Sequence, residues 1–142
     1  MKISTKGRYA LRIMLDLAVH DAGEYIALQD VADRQGLTIK YLEQIAASLS
    51  KEGYVQSVRG KFGGYRLTRK PRDYRVGDIL RVTEGNLTPV ADEEPRYGDT
   101  VTAAIAPFWQ GLNRAIDTYV DNVTLEDLCD NYHSLNGGDY SI

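Results

Sequence analysis

The chain is nearly devoid of cysteine and histidine. Cys129 stands alone among 142 residues, which excludes an internal disulfide framework and any cysteine-built metal centre within one chain. The two histidines, His20 and His133, lie far apart, and no serine or cysteine sits in a nucleophile motif. The one Gly-rich loop lacks the Lys-Ser/Thr ending of a phosphate cradle. Nothing assembles a catalytic site, so the sequence reads as a non-enzyme with no cofactor and no metal. Long apolar runs are missing as well: none approaches the ~18–20 residues that span a bilayer. Arg12 and Asp16 interrupt the first apolar stretch, which therefore does not read as a secretory signal. The expectation is a cytoplasmic protein with no membrane partner. Internal repeats are absent too.

What is present is the composition of a soluble globular chain, 43% hydrophobic and 26% charged, long enough for one core or two small lobes sharing one. The net charge of −3 conceals an asymmetry. Residues 1–75 hold 14 of the 17 basic side chains and 8 of the 20 acidic ones, and the remainder is strongly acidic. A basic half joined to an acidic half suggests a polyanion-binding module attached to something with another task.

Apolar periodicity organises the basic half. From Lys6 to about His20, Tyr9, Ala10, Ile13, Met14, Leu17 and Ala18 share one helical face, with Arg8, Arg12 and Asp16 off it. A short helix reads Leu28–Gln35, stopped by Gly36, and Thr38 is placed to cap a helix running from Ile39 to about Glu52. Ile39, Leu42, Ile45, Ala46 and Leu49 form its inner stripe, while Lys40, Glu43, Gln44 and Ala47 share the opposite face. Two helices across a Gly-containing turn make a helix-turn-helix. Tyr54–Val58 and Tyr65–Thr68 are strand-like and flank Arg59-Gly60-Lys61-Phe62-Gly63-Gly64, so a basic β-hairpin follows and completes a winged helix. A helix near Val76–Glu84 ends at Gly85.

The acidic half opens with an irregular connector, residues 86–99. A long amphipathic pattern covers roughly Thr100–Asn122, with Val101, Ile105, Phe108, Leu112, Ala115 and Tyr119 as a stripe widened by Trp109, Ile116 and Val120. Pro107 is expected to kink this helix or mark its start. Thr124 and Asp127 form a capping box for a last helix, Val123 is set to staple onto Leu128, and residues 134–142 read as a flexible tail. The fold class is thus mainly α with a small β-hairpin wing. Its divisions are a DNA-binding domain at 1–85, the connector, paired helices at 100–133 and the tail.

This arrangement suits duplex DNA. A helix enters the major groove, where Lys40 donates to guanine, Gln44 pairs with adenine and Glu43 accepts from cytosine. Tyr41 reads as a phosphate or packing contact, and Thr38 lies at the same helix start. Arg59, Gly60, Lys61 and Gly63 form a thin cationic tip suited to a minor groove or a phosphate. Lys2, Ser4, Lys6 and Arg8 are candidate phosphate contacts at the first helix N-terminus. Cys129, among Glu126, Asp127 and Asp130, reads as a packed thiol rather than a sensor.

The opening Met1–Leu11, the run Tyr41-Leu42-Glu43-Gln44-Ile45 and Arg59–Tyr65 resemble the Rrf2 family of bacterial transcription regulators. So do Val76–Leu80 with Glu84-Gly85, and Thr124–Leu128, in the same order over nearly the whole chain. The resemblance implies a homodimer joined through the long helix, binding a pseudo-palindromic operator. Iron–sulfur members of the family carry three cysteines in the connector; residues 86–99 hold none, which excludes a cluster held in that way. The likeness is closer to the cluster-free branch typified by a cysteine-metabolism repressor. That branch implies a partner enzyme, O-acetylserine sulfhydrylase, which takes a carboxy-terminal isoleucine and here would meet Tyr140, Ser141 and Ile142. Two alternatives stay open at this point: a regulator of the same fold sensing iron or nitrosative stress, and a winged helix used as a protein-interaction module.

Overall fold

Each apolar stripe read in the basic half becomes a helix in the computed structural model, which describes residues 2–137. The order is α1 (Thr5–Val19), α2 (Leu28–Gln35), α3 (Ile39–Lys51), β1 (Val55–Val58), β2 (Gly64–Leu67), a 3-10 turn (Pro71–Asp73), α4 (Val76–Glu84), α5 (Thr100–Asp121) and α6 (Leu125–Gly137). Local chemistry sets the boundaries. Ser4 caps α1 by accepting from Gly7 N–H at 3.0 Å. Gly36, at φ +66°, takes the left-handed conformation that turns the chain from α2 toward α3. Thr38 then accepts from Tyr41 N–H at 3.3 Å.

The main core gathers Ala10, Ile13, Met14 and Leu17 of α1 against Val31, Leu42, Ile45, Leu49 and Ile79. Each fully buried leucine, isoleucine, valine or methionine among them contributes about 1.5–3 kcal/mol of transfer free energy. Tyr74 is buried with them and organises the base of the hairpin: its hydroxyl donates to Tyr54 O at 2.7 Å and accepts from Thr68 N–H at 2.9 Å and Arg69 N–H at 3.1 Å. Asp16, which the stripe left outside the apolar face, is buried as well. Arg34 grips it with two hydrogen bonds of 3.0 and 2.7 Å, and Gln35 Nε2 adds a third at 2.9 Å.

The hairpin is antiparallel, pairing Val55 with Leu67 and Val58 with Gly64. Ile26 adds one residue of a third strand by exchanging two 2.8 Å hydrogen bonds with Tyr65. Gly64, at φ +150°, lies so close to the Ile26 carbonyl that a Cβ there would collide with it.

The acidic half departs from the sequence reading in two places. α5 itself starts at Thr100, as its pattern indicated, capped by Asp99 accepting from Thr102 N–H at 3.1 Å, with Pro107 inside it rather than at its start. α6 continues to Gly137, so residues 134–137 are helical rather than tail; Ser134, Leu135 and Asn136 offer no helix breaker. α6 also does not stand apart from the DNA-binding domain. Leu125 joins the main core, its N–H donates to Tyr74 O at 3.0 Å, and Val76 N–H donates to Val123 O at 2.8 Å. The capping box forms as read: Thr124 N–H donates to Asp127 at 2.9 Å and Asp127 N–H to Thr124 Oγ1 at 3.1 Å. Leu87 of the connector closes a second small core with Val76 and Leu80, against which Ile116, Val120, Val123 and Leu128 pack. The stripe thus divides: Ile116 and Val120 face inward, whereas Val101, Ile105, Phe108, Leu112, Ala115 and Tyr119 are exposed. No residue of α5 is buried, and no helix among the described residues is long and apolar enough to cross a membrane.

Candidate nucleic-acid interface

On α3 the inner residues Leu42, Ile45, Ala46 and Leu49 are buried, which turns Lys40, Glu43, Gln44 and Ala47 outward together. These side chains supply a donor, an acceptor and a bidentate amide on one exposed helix face, the set that reads base edges in a major groove. Thr38, at the helix start, uses its oxygen as a cap acceptor, which leaves its hydroxyl proton for a phosphate. Tyr41 is half-buried and meets Tyr9 of α1 edge-to-face at 5.6 Å between ring centroids. That contact sets the first turns of α1 and α3 side by side, with Arg8 and Arg12 flanking Tyr9; the Arg12 guanidinium lies 5.8 Å from the Tyr9 ring.

At the start of α1, Lys2 and Arg8 are exposed and Lys6 half-buried. Ser4 departs from its expected role. Its hydroxyl donates to Glu84 at 2.6 Å and its N–H donates to the same carboxylate oxygen at 2.7 Å. Glu84 of α4 thereby occupies the positive end of α1, where the sequence placed a phosphate, and Ser4 has no donor left for one.

The hairpin loop exposes Arg59, Gly60 and Lys61, with Gly63 half-buried behind them. Its base is stiffened by a cluster that the sequence did not announce. With the Gln56 amide assigned so that its oxygen faces these donors, Oε1 accepts from Arg66 at 3.0 and 2.8 Å and from the Tyr25 hydroxyl at 2.7 Å, and the Arg66 guanidinium stacks 4.4 Å from the Tyr25 centroid. Arg69 lies over Tyr54 and Tyr74 at 5.0 and 5.4 Å. From Gly53 to Arg72 the chain carries six cations and no acid. That run was available as a signal; the pairing of Gln56 with Arg66 depended on strand register and was not.

The remaining ionic ties lie between elements. Arg81 of α4 donates to Asp121 at 2.7 and 3.2 Å and to Asp117 at 3.0 Å, joining α4 to α5. This holds the Asp121 carboxyl below the usual carboxylate range and raises the arginine. Cys129 is buried in α6; burial, reinforced by Asp130 and Glu126, pushes its thiol up. Asp99, Asp121 and Cys129 offer no clustered metal set, and among the described residues no group of histidine, cysteine and carboxylate side chains could hold an ion. Tyr140, Ser141 and Ile142 lie outside the described residues.

Comparison with known proteins fits this geometry. The sequence profile of Rrf2, described as iron-dependent transcriptional regulator, matches residues 3–131. The HTH-type transcriptional regulator CymR of Bacillus subtilis is 41% identical over 131 residues, 90% of this chain and 89% of its own length. The HTH-type transcriptional regulator IscR of Aliivibrio salmonicida is 37% identical over 130 residues, covering 90% of this chain and 77% of its own. The solved structure of CymR, described as the global cysteine regulator of B. subtilis, superposes with a TM-score of 0.78 at 39% identity, over 92% of this chain and 98% of that one.

Proposed function

This chain belongs to the Rrf2 family of transcriptional regulators, and from that premise we propose that it is a homodimeric, sequence-specific repressor of cysteine and sulfur-assimilation genes. The observation that carries the DNA interface is the joint exposure of Lys40, Glu43 and Gln44 on α3 beside an acid-free cationic hairpin. Each protomer sets α3 in a major groove, with Lys40, Glu43 and Gln44 on base edges. Arg59 and Lys61, carried by Gly60 and Gly63, take the adjoining groove or its phosphates. Thr38, Lys2, Lys6 and Arg8 contact the backbone around them.

The second copy covers α5. Val101 is 71% exposed, Phe108 64% and Tyr119 72%, with Ile105, Leu112 and Ala115 on the same stripe. A row of that extent is a self-complementary face for a two-fold mate. Two-fold symmetry then calls for a pseudo-palindromic operator with half-sites on one face of the duplex.

The cysteine assignment is favoured over iron sensing by the connector, since residues 86–99 contain no cysteine to ligate a cluster, and by the likeness to CymR. The proposed enzyme partner is O-acetylserine sulfhydrylase, recognising Tyr140, Ser141 and Ile142. Removing Ile142 is expected to abolish that complex, and a complex that survives the removal rejects the partner.

Duplex binding is tested with Arg59→Ala. The variant is expected to bind markedly more weakly and to reduce the slope of log K against log salt by about 1. Unchanged affinity with an unchanged slope removes Arg59 from the interface. A wild-type chain indifferent to duplex at low salt would instead leave the protein-interaction module.

A further inference from the structure

The tip of the hairpin presents a side chain that the fold itself leaves unused. Gly63 N–H donates to Gly60 O at 3.1 Å, closing a four-residue turn whose two corners are Lys61 and Phe62. Phe62 is 87% exposed, and among residues 2–85 the one other large apolar side chain in the exposed class is Val58, at 47%. The Lys61 ammonium lies 5.7 Å from the Phe62 ring centroid. A single exposed apolar residue is ordinary on a protein surface. This one is held at the corner of a projecting turn whose base is fixed by the Gln56–Arg66–Tyr25 cluster and by the Ile26–Tyr65 bridge. It also lies within a stretch, residues 53–72, of six cations without an acid, so the surface that receives the ring is a polyanion with an apolar interior. Duplex DNA has that character: phosphates outside, stacked bases within.

We propose that Phe62 is a minor-groove wedge. While Arg59 and Lys61 neutralise the flanking phosphates, the ring presses between adjacent base pairs, partly unstacks one step and kinks the duplex toward its major groove. The inference rests on the DNA-binding reading above and deepens it. Apolar side chains placed in a minor groove act in this way, and the opened step lets the duplex wrap more of the protein. Pyrimidine–purine steps, TA above all, unstack most readily. Phe62 therefore selects a deformable step at a position where no side chain reads a base edge, adding specificity to that of Lys40, Glu43 and Gln44. Its exposed place in the turn means that substitution leaves the core intact.

The test uses a duplex selected from genomic fragments by the full-length protein. A donor–acceptor dye pair marks its ends, and 2-aminopurine replaces in turn each adenine beneath the wing. With the wild-type protein, one aminopurine position is expected to brighten and the ends to approach. Phe62→Ala is expected to lose both signals and about tenfold in affinity, with the salt slope unchanged because no phosphate contact is removed. Phe62→Leu, still an apolar wedge, is expected to retain the bend. A Phe62→Ala protein that brightens the same aminopurine and bends the duplex as the wild type does overturns the wedge, whatever its affinity. In that case an Arg59→Ala loss leaves DNA binding itself standing. A wild-type protein that binds no duplex overturns both.

Discussion

Asp16 sits on the inner side of α1, only 2% exposed, where a carboxylate is tolerable because Arg34 meets it through both Nε and Nη2 and Gln35 adds a third hydrogen bond. Both partners on the α2 side immediately precede Gly36, so the ion pair docks α2 and the turn into α3 onto α1. Removing one side of such a pair strands the other charge. Arg34→Met is expected to cost about 3 kcal/mol, read as a lower midpoint in urea, and pairing it with Asp16→Leu is expected to restore part of the loss. Cys129 is a buried thiol with no cation to draw off its proton. Its raised thiol favours the neutral form in the fold, so the native protein is expected to be alkylated by iodoacetamide at pH 8 far more slowly than the urea-unfolded chain. Equal rates would show the thiol to be open to solvent.

At the scale of elements, what was legible in the sequence was what neighbours decide. The stripes of α1 and α3, the Gly36 turn, the Thr38 cap and the Thr124–Asp127 box all depend on residues within a few positions of one another, and all form where they were read. The features that escaped join distant residues. Ser4 and Glu84 are 80 apart and Arg34 and Asp16 are 18 apart, and no local pattern marks either pair. Leu87 gave no signal because the few apolar residues of the connector, Leu87, Val90, Ala91 and Tyr97, follow no helical or strand period. For the same reason the outward face of α3 could be read in advance, whereas the Tyr25–Gln56–Arg66 brace could not.

The clearest long-range tie is that of Arg81 to Asp117 and Asp121, which joins α4 to α5. Asp121 has its carboxyl lowered in the fold, chiefly by the hydrogen bond from Arg81. A depressed carboxyl stabilises the native state at pH above its unfolded value of about 3.9 and loses that contribution as pH falls through the folded value. Arg81→Met is therefore expected to be about 1–2 kcal/mol less stable than the wild type near neutrality. The gap between their midpoints is expected to close below about pH 4. A gap that stays constant down to pH 2 would place the effect of Arg81 in packing rather than in charge.

At the scale of the whole molecule, the chain carries a net charge of −3, yet most of its cations lie in the first 75 residues. Approach to a polyanion is thus orientation-dependent: the acidic half is repelled and the winged helix is drawn in. In the proposed homodimer the exposed stripe of α5 would fix two winged helices at one separation, and such steering would then yield a defined complex. The relatives of the chain are transcriptional regulators, and its winged-helix fold with an exposed polar face on α3 fits that company.

Sedimentation of the full-length protein, alone and with its selected duplex, at two salt concentrations, tests the joint claim of pairing and grip most directly. The expected result is a dimer in free solution and two protomers on each duplex at low salt, with the complex dissociating as salt is raised. A monomer throughout, or a duplex that sediments unchanged in the presence of the protein at low salt, contradicts it.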